Sequence, residues 1–174
     1  MNNHIVITAY SAEYIQQAIE VWNSIVRHGQ AFPQEEELDE KSGHEFFTRQ
    51  SFTGIAWDTS QKMVAGLYIL HPNNVGRCGH ICNASFAVSE KFRQQHIGEQ
   101  LVRHCMLQAV RCDFRILQFN AVVSSNTAAL NLYQKLGFTQ LGVIPGGFRN
   151  KAGVWEDIIP HYIDLTGLEK QLDA

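Results

Sequence analysis

The sequence predicts an α/β fold of the α+β kind, a mixed sheet with helices on both faces. Three observations carry this. Strand-like and helix-like segments alternate irregularly, in the order β-α-α-β-β-β-α-β-α-β-β. Residues 96–111 repeat apolar side chains at four-residue spacing (Ile97, Leu101, Cys105, Ala109), as one buried helical face requires. Arg115–Ser124 is mostly apolar, as a strand buried on both faces should be. With 174 residues and no repeat or linker, the chain reads as a single domain, 1–174.

His4–Ala9 alternates in polarity and reads as the first strand. Ser11 is a plausible N-cap for a helix through about Arg27, with Gly29 as its stop. Residues 35–50 read as a second helix, acidic at its start, which suits the helix dipole. Phe52–Asp58 and Lys62–His71 form two strands around a tight turn at Thr59–Gln61. Gly79–Ser89 is the next strand. Asn126–Leu136 is a helix, N-capped by Asn126 and followed by Gly137. Phe138–Val143 and Val154–Leu165 close the chain as strands, with Gly146–Lys151 between them as a mobile hairpin loop.

Composition narrows the function. The chain has 45% hydrophobic and 18% charged residues, which excludes a solvated, disordered chain. Fourteen Lys and Arg against seventeen Asp and Glu give a net charge of -3, which argues against nucleic acid as partner. No apolar run reaches membrane-spanning length, and Met1-Asn-Asn-His is no signal peptide. Cys78, Cys82, Cys105 and Cys112 match neither a zinc knuckle nor a CxxC pair, so free thiols in a cytoplasmic protein are expected. Cys78, His80 and Cys82 would share one strand face, but the outer pair would lie about 13 Å apart, too far for one ion, and no metal is expected. The charge is uneven. Residues 13–58 carry -6 and residues 91–115 carry +3, so an anionic ligand at the second segment is one reading and solvated helical faces the other.

The segment Val88-Ser-Glu-Lys-Phe-Arg93-Gln94-Gln95-His96-Ile97-Gly98-Glu99 runs from a strand through a basic turn into a helix. Free amides at a helix start can hold a pyrophosphate, and Gly98 would permit close approach. This segment resembles the acyl-CoA motif R/Q-x-x-G-x-G/A of the GNAT superfamily of N-acetyltransferases, with Arg93 and Gly98 at its ends and His96 in place of the middle glycine. Asn126-Thr-Ala-Ala129-Leu-Asn-Leu-Tyr133-Gln-Lys-Leu-Gly137-Phe138 resembles the same superfamily's N-x-x-A-x-x-x-Y-x-K-x-G-F. The resemblance covers about residues 4–165. It implies a mostly antiparallel sheet of about seven strands in which the fourth and fifth splay apart to admit acetyl-CoA. It further implies that the amides of Ala87 and Val88 hold the pantetheine or the thioester carbonyl, and that Arg93, Gln94, Gln95, His96, Ile97, Gly98, Glu99, Asn126, Ala129 and Tyr133 contact the cofactor. Tyr133 takes the position of the general acid that protonates the leaving thiolate; a core aromatic is the plainer reading.

Asn83, Asn120 and Asn126 form a second constellation, with apolar neighbours in sequence around the first two. Sheet-edge hydrogen bonds and an N-cap are their structural readings. Relatives of the phosphinothricin type carry a glutamate near Asn83, and this fourth strand has no carboxylate. The pattern Cys-Asn83-Ala-x-Phe with Asn120 and Asn126 resembles instead the branch that acetylates proline analogues such as azetidine-2-carboxylate. That resemblance implies that asparagines bind the acceptor, accepting from its amine N–H, with Asn83 as an orienting group. Glu35–Glu37 and Glu156–Asp157 are alternative bases, Arg149 and Lys151 candidates for a substrate carboxylate, and His161 structural. The expected function is acetyl transfer from acetyl-CoA to a small amino acid or analogue, in a homodimer. A protein N-terminus as acceptor, or a non-catalytic acyl-CoA sensor, are the other readings.

Overall fold

The computed structural model describes residues 4–168. Its elements are β1 Ile5–Ala9, α1 Ile15–His28, α2 Glu40–Thr48, β2 Phe52–Asp58, β3 Met63–Pro72, β4 Ile81–Val88, α3 Ile97–Arg111, β5 Ile116–Val123, α4 Thr127–Lys135, β6 Thr139–Gln140, β7 Ile144–Arg149 and β8 Trp155–Asp164. One eight-stranded sheet runs β1-β2-β3-β4-β5-β8-β6, with β7 also on β8. Every pairing is antiparallel except β4 with β5.

Each sheet face carries its own core. Trp22, Phe32, Phe47, Ile55 and Leu67 pack where α1 and α2 cover one face. Leu101, Cys105, Leu117, Phe119 and Tyr133 pack where α3 and α4 cover the other. The predicted stripe on α3 (Ile97, Leu101, Cys105, Ala109) is buried along its whole length.

Three boundaries differ from expectation, each for a local reason. Ser11 makes no capping bond. Its hydroxyl donates to Glu13, and a 3-10 turn at Ala12–Tyr14 precedes α1. Gly29 does end α1, with φ 60°, its amide donating to Ile25 O. The helix expected at 35–50 starts only at Glu40, because Asp39 and Ser42 form a reciprocal capping box. Glu35–Glu37 therefore lie in the loop before it. Cys78 closes a 3-10 turn, so Cys78, His80 and Cys82 do not share a strand face.

The expected mobile hairpin is instead ordered backbone. Ile144–Arg149 pairs with β8, and Phe148 packs on Val123 and Ile158. Gly147 permits this, since a Cβ there would meet Ile158 at 2.5 Å. The following turn docks on the end of α1: the Lys151 amide donates to Gly29 O (3.0 Å) and its Nζ to Arg27 O (2.9 Å).

Candidate active site

β4 and β5 pair only through Ile81–Ile116 and Cys82–Leu117, then part. Beyond Phe119, β5 sets two residues, Asn120 and Ala121, against the single Pro160 of β8. Such a bulge bends a strand and re-aims its side chains. β5 is not buried on both faces as expected: Leu117 and Phe119 are buried, while Gln118 is half-buried and Asn120 exposed. Its open face borders a cavity of about 240 Å³ that brings together Asn83, Asn120, Asn126 and Tyr133. Phe86 and Phe119 also line it, and Phe32–Pro33 close it from the loop after α1. Those two, missed in the sequence, were legible only as an apolar pair in a polar loop.

The backbone beside the gap can be assigned by alternation. Ile81 O accepts from Asn73 and the Ser89 amide donates to Ala65 O, so odd residues of β4 bond toward β3. His80 O accepts from Arg115, so even residues turn to β5. The amides of Ala84, Phe86 and Val88 therefore face the gap, whereas that of Ala87 is turned to β3. Of the expected pair, the Val88 amide faces the gap and the Ala87 amide does not; the Phe86 amide faces it as well.

Apolar neighbours in sequence do not bury the asparagines: Asn120 is exposed and Asn83 half-buried. Asn83 Oδ1 accepts from the Ala84 amide at 2.8 Å. Asn126 caps α4, its Oδ1 accepting from the Ala129 amide at 3.2 Å. Backbone amides can only donate, so both carboxamides are oriented, with one lone pair of the oxygen engaged and the NH2 available. Asn120 Oδ1 accepts from Asn73 Nδ2 (3.1 Å) and Gln118 Nε2 (3.0 Å), while its Nδ2 donates to Asn73 Oδ1 (2.7 Å). Both of its acceptor lone pairs are used and one N–H remains. All three residues thus offer donors.

Tyr133 is buried on α4, its ring 4.5 Å from Phe119 and 5.4 Å from Phe138 between centroids. Core aromatic and cavity wall are the same side chain. Burial pushes its hydroxyl well above the ordinary tyrosine range, with Cys105 adding to the effect, so it holds its proton at neutral pH. His161, read as structural, is buried with Nδ1 on Ile159 O at 2.7 Å, and its ring lies 5.9 Å from that of Tyr133.

Before α3 the turn takes a left-handed step at Gln94 (φ 61°) and another at His96 (φ 60°). His96 thus adopts the backbone that glycine supplies most cheaply. It is the N-cap of α3 but makes no side-chain capping bond, leaving the amides of Ile97, Gly98 and Glu99 at the helix start. A Cβ on Gly98 would meet only Leu132 and Val88, at 3.8 and 3.9 Å, so Ala would fit here. Arg93 is exposed and 3.4 Å from Glu90. Gln95 donates to Lys91 O. The Glu99 carboxylate bridges Lys135 (2.6 Å) and Arg103 (2.9 Å), which hold it below the usual carboxylate range and tie α3 to α4. The motif lysine Lys135 therefore has a structural partner.

The remaining candidates lie apart. Arg149 and Lys151 line a second cavity of about 390 Å³ with Glu35, which shares Phe32 and Pro33 with the first. Lys151 is engaged at the end of α1. Glu156 accepts from Ser125 and Asn150, which lower its pKa, so it is a poor base. Asp157 accepts from the Gly146 amide. Among the described residues no group of three or more His, Cys, Asp or Glu could hold a metal ion.

The sheet thus parts between two parallel strands, beside a helix start that no side chain caps. Residues 16–138 match the acetyltransferase (GNAT) family, and the chain belongs to it. N-acetyltransferase aca1 of Schizosaccharomyces pombe is 37% identical over 97 residues, which are 56% of this chain and 45% of that protein. The chain thus matches under half the length of that relative. A GCN5-related N-acetyltransferase from Kribbella flavida is 25% identical with a TM-score of 0.84, covering 92% of this chain and 98% of that one. The fold is also that of yncA from Salmonella typhimurium, solved with its cofactor acetyl-CoA: 18% identity, TM-score 0.86, and 95% and 96% of the two chains.

Proposed function

We propose that the protein transfers the acetyl group of acetyl-CoA to the amine of a small amino acid or amino-acid analogue, with proline analogues such as azetidine-2-carboxylate as the first acceptors to test. The observation that carries this is the polarity of the cavity. Asn83, Asn120 and Asn126 have their oxygens engaged and offer N–H donors. Donors suit a carboxylate and oppose an ammonium. This reverses the expected polarity, in which the asparagines accept from the amine. The cavity's volume of about 240 Å³ is of small-molecule size.

In this reading Phe86 and Val88 hold the thioester end of acetyl-CoA through gap-facing amides. Ile97, Gly98 and Glu99 hold the pyrophosphate at the start of α3, with Arg93, Gln94, Gln95 and His96 along the turn. Ala129 lines the passage between. When bound, acetyl-CoA supplies the activated acyl carbon. The amine lone pair forms the new C–N bond, and the oxyanion draws on the amides of β4. The C–S bond then breaks. The amine proton leaves to water, and the thiolate takes the Tyr133 proton, which solvent restores. The reading includes a homodimer, supported by exposed Leu141, Val143, Ile144 and Trp155 at the β6–β7 end of the sheet. Light scattering tests that part: a mass of one chain would remove it.

Thiol release from acetyl-CoA across a panel of amines tests the activity. Small amino acids and cyclic imino acids are expected to turn over, and a response confined to peptides would contradict the reading. Tyr133→Phe should lower kcat about 100-fold and leave the acetyl-CoA KM within about two-fold. Equal losses in both would remove the general-acid role.

A further inference from the structure

We infer that Asn73, on the loop after β3, is a positioning residue that aims Asn120 at the acceptor; this rests on the acceptor reading above. Asn73 lies 47 residues from Asn120 in sequence and was not among the candidate residues. Two reciprocal carboxamide bonds join them, at 2.7 and 3.1 Å. The Asn73 amide also donates to Ile81 O at 2.8 Å, which pins the loop to the first residue of β4, just before the strands part. Asn120 itself sits in the β5 bulge, where the sheet ladder no longer dictates its direction. Being exposed, it has little packing to select one rotamer. The selection falls to Asn73, with Gln118 filling the second lone pair of Oδ1.

The geometry has a chemical consequence. With Asn73 in place, Asn120 has one free valence, an N–H. Without Asn73, Asn120 has two free N–H groups and one free lone pair on Oδ1, and only the Gln118 bond still holds the amide's direction. Its preference for a carboxylate over a donor then weakens. Asn73 touches neither the thioester nor the amine in this account and acts only through Asn120.

The test is a double-mutant cycle on steady-state kinetics with a cyclic imino acid as acceptor. Asn73→Ala should raise the acceptor KM about ten-fold and leave the acetyl-CoA KM within two-fold. Asn120→Ala should do at least as much, and the double variant should be no worse than Asn120→Ala alone. A merely structural Asn73 would shift both KM values together, or multiply with Asn120→Ala, and either result overturns the inference. So does an unchanged Asn73→Ala beside an impaired Asn120→Ala. If Asn120→Ala is itself indistinguishable from wild type, the acceptor role of Asn120 fails first and the inference with it. Asn73→Ser, which keeps a small polar group, serves if Asn73→Ala melts early; it should show the same split between the two KM values, and parallel shifts overturn the inference.

Discussion

Asn126 combines two tasks that substitutions can separate. Its oxygen caps α4, and the residue lines the cavity with its NH2 left over for a ligand. Asn126→Ser keeps a capping oxygen but removes the NH2, so stability should hold within about 0.5 kcal/mol while kcat/KM falls. Asn126→Ala should lose about 1 kcal/mol as well, measured by denaturant unfolding. His96 allows a similar separation. A non-glycine residue in the left-handed region costs about 1–2 kcal/mol, and glycine returns part of that as unfolded-chain entropy. His96→Gly should therefore stabilise the protein by about 0.5–1 kcal/mol. A loss of stability would mean that the exposed imidazole has a role in the turn. At this scale the sequence was informative about identity and weak on polarity. Asn83, Asn120, Asn126 and Tyr133, singled out in the sequence, line one cavity, but which end of each amide is free depends on hydrogen bonds to Ala84, Asn73, Gln118 and Ala129. Asn73 carries no local signal at all, since its partner is set by the tertiary fold.

Between elements, the decisive contacts are those that hold the walls of the gap. The turn after β7 rests on the end of α1, where Gly29 has φ +60° and a Cβ would stand 2.6 Å from Lys151 Cβ. Gly29→Ala should cost about 2 kcal/mol or more, combining backbone strain with the clash, and should lift that turn. Faster hydrogen exchange at the Lys151 amide is the accompanying sign; an unchanged rate would contradict the docking. The helix periodicity of α3 was readable because its buried stripe spans four turns. α2 was placed too early because acidic residues suit a helix start in general, whereas the capping box at Asp39 chooses one start in particular. β7 was missed because Gly146 and Gly147 open a stretch that reads as a loop, and only the closeness of Ile158 shows why glycine is required within a strand.

Across the whole molecule the uneven charge takes a definite form. The acidic segment is partly neutralised internally, Arg27 pairing with Glu20 and Glu37 at 2.6 and 2.7 Å. In the basic segment Arg103 joins Lys135 on Glu99. Net charge alone points away from a phosphate-bearing ligand, whereas the proposed site for one is the single turn into α3. Among the described residues no helix is long and apolar enough to cross a membrane. Two buried groups, one on stability and one on activity, bear on the pH response beside the hydrogen-bonded carboxylates. Burial, with a smaller contribution from Arg111, lowers the pKa of His104, whose Nδ1 lies 2.9 Å from the Tyr68 hydroxyl. A lowered histidine pKa adds stability that is complete above the unfolded value of about 6.5 and is lost as pH falls through it. Unfolding titrations should show a decline from about pH 6.5 downward that His104→Phe reduces. Tyr133 works in the other direction. Its raised pKa keeps the acid protonated, so kcat/KM should climb with pH as the free amine fraction grows, without an alkaline fall below about pH 10.

The central claim is that the cavity between β4 and β5 recognises a carboxylate through three amide donors. The most direct measurement compares kcat/KM for a cyclic imino acid with that for its primary carboxamide, ring and amine being unchanged, at matched fractions of free amine. Removing the charge from an acceptor held by several N–H donors should cost about 100-fold or more, at roughly 1.5–3 kcal/mol for each charged hydrogen bond. The same penalty should shrink in Asn83→Ala and Asn120→Ala. Equal kcat/KM for the acid and its amide would contradict the account.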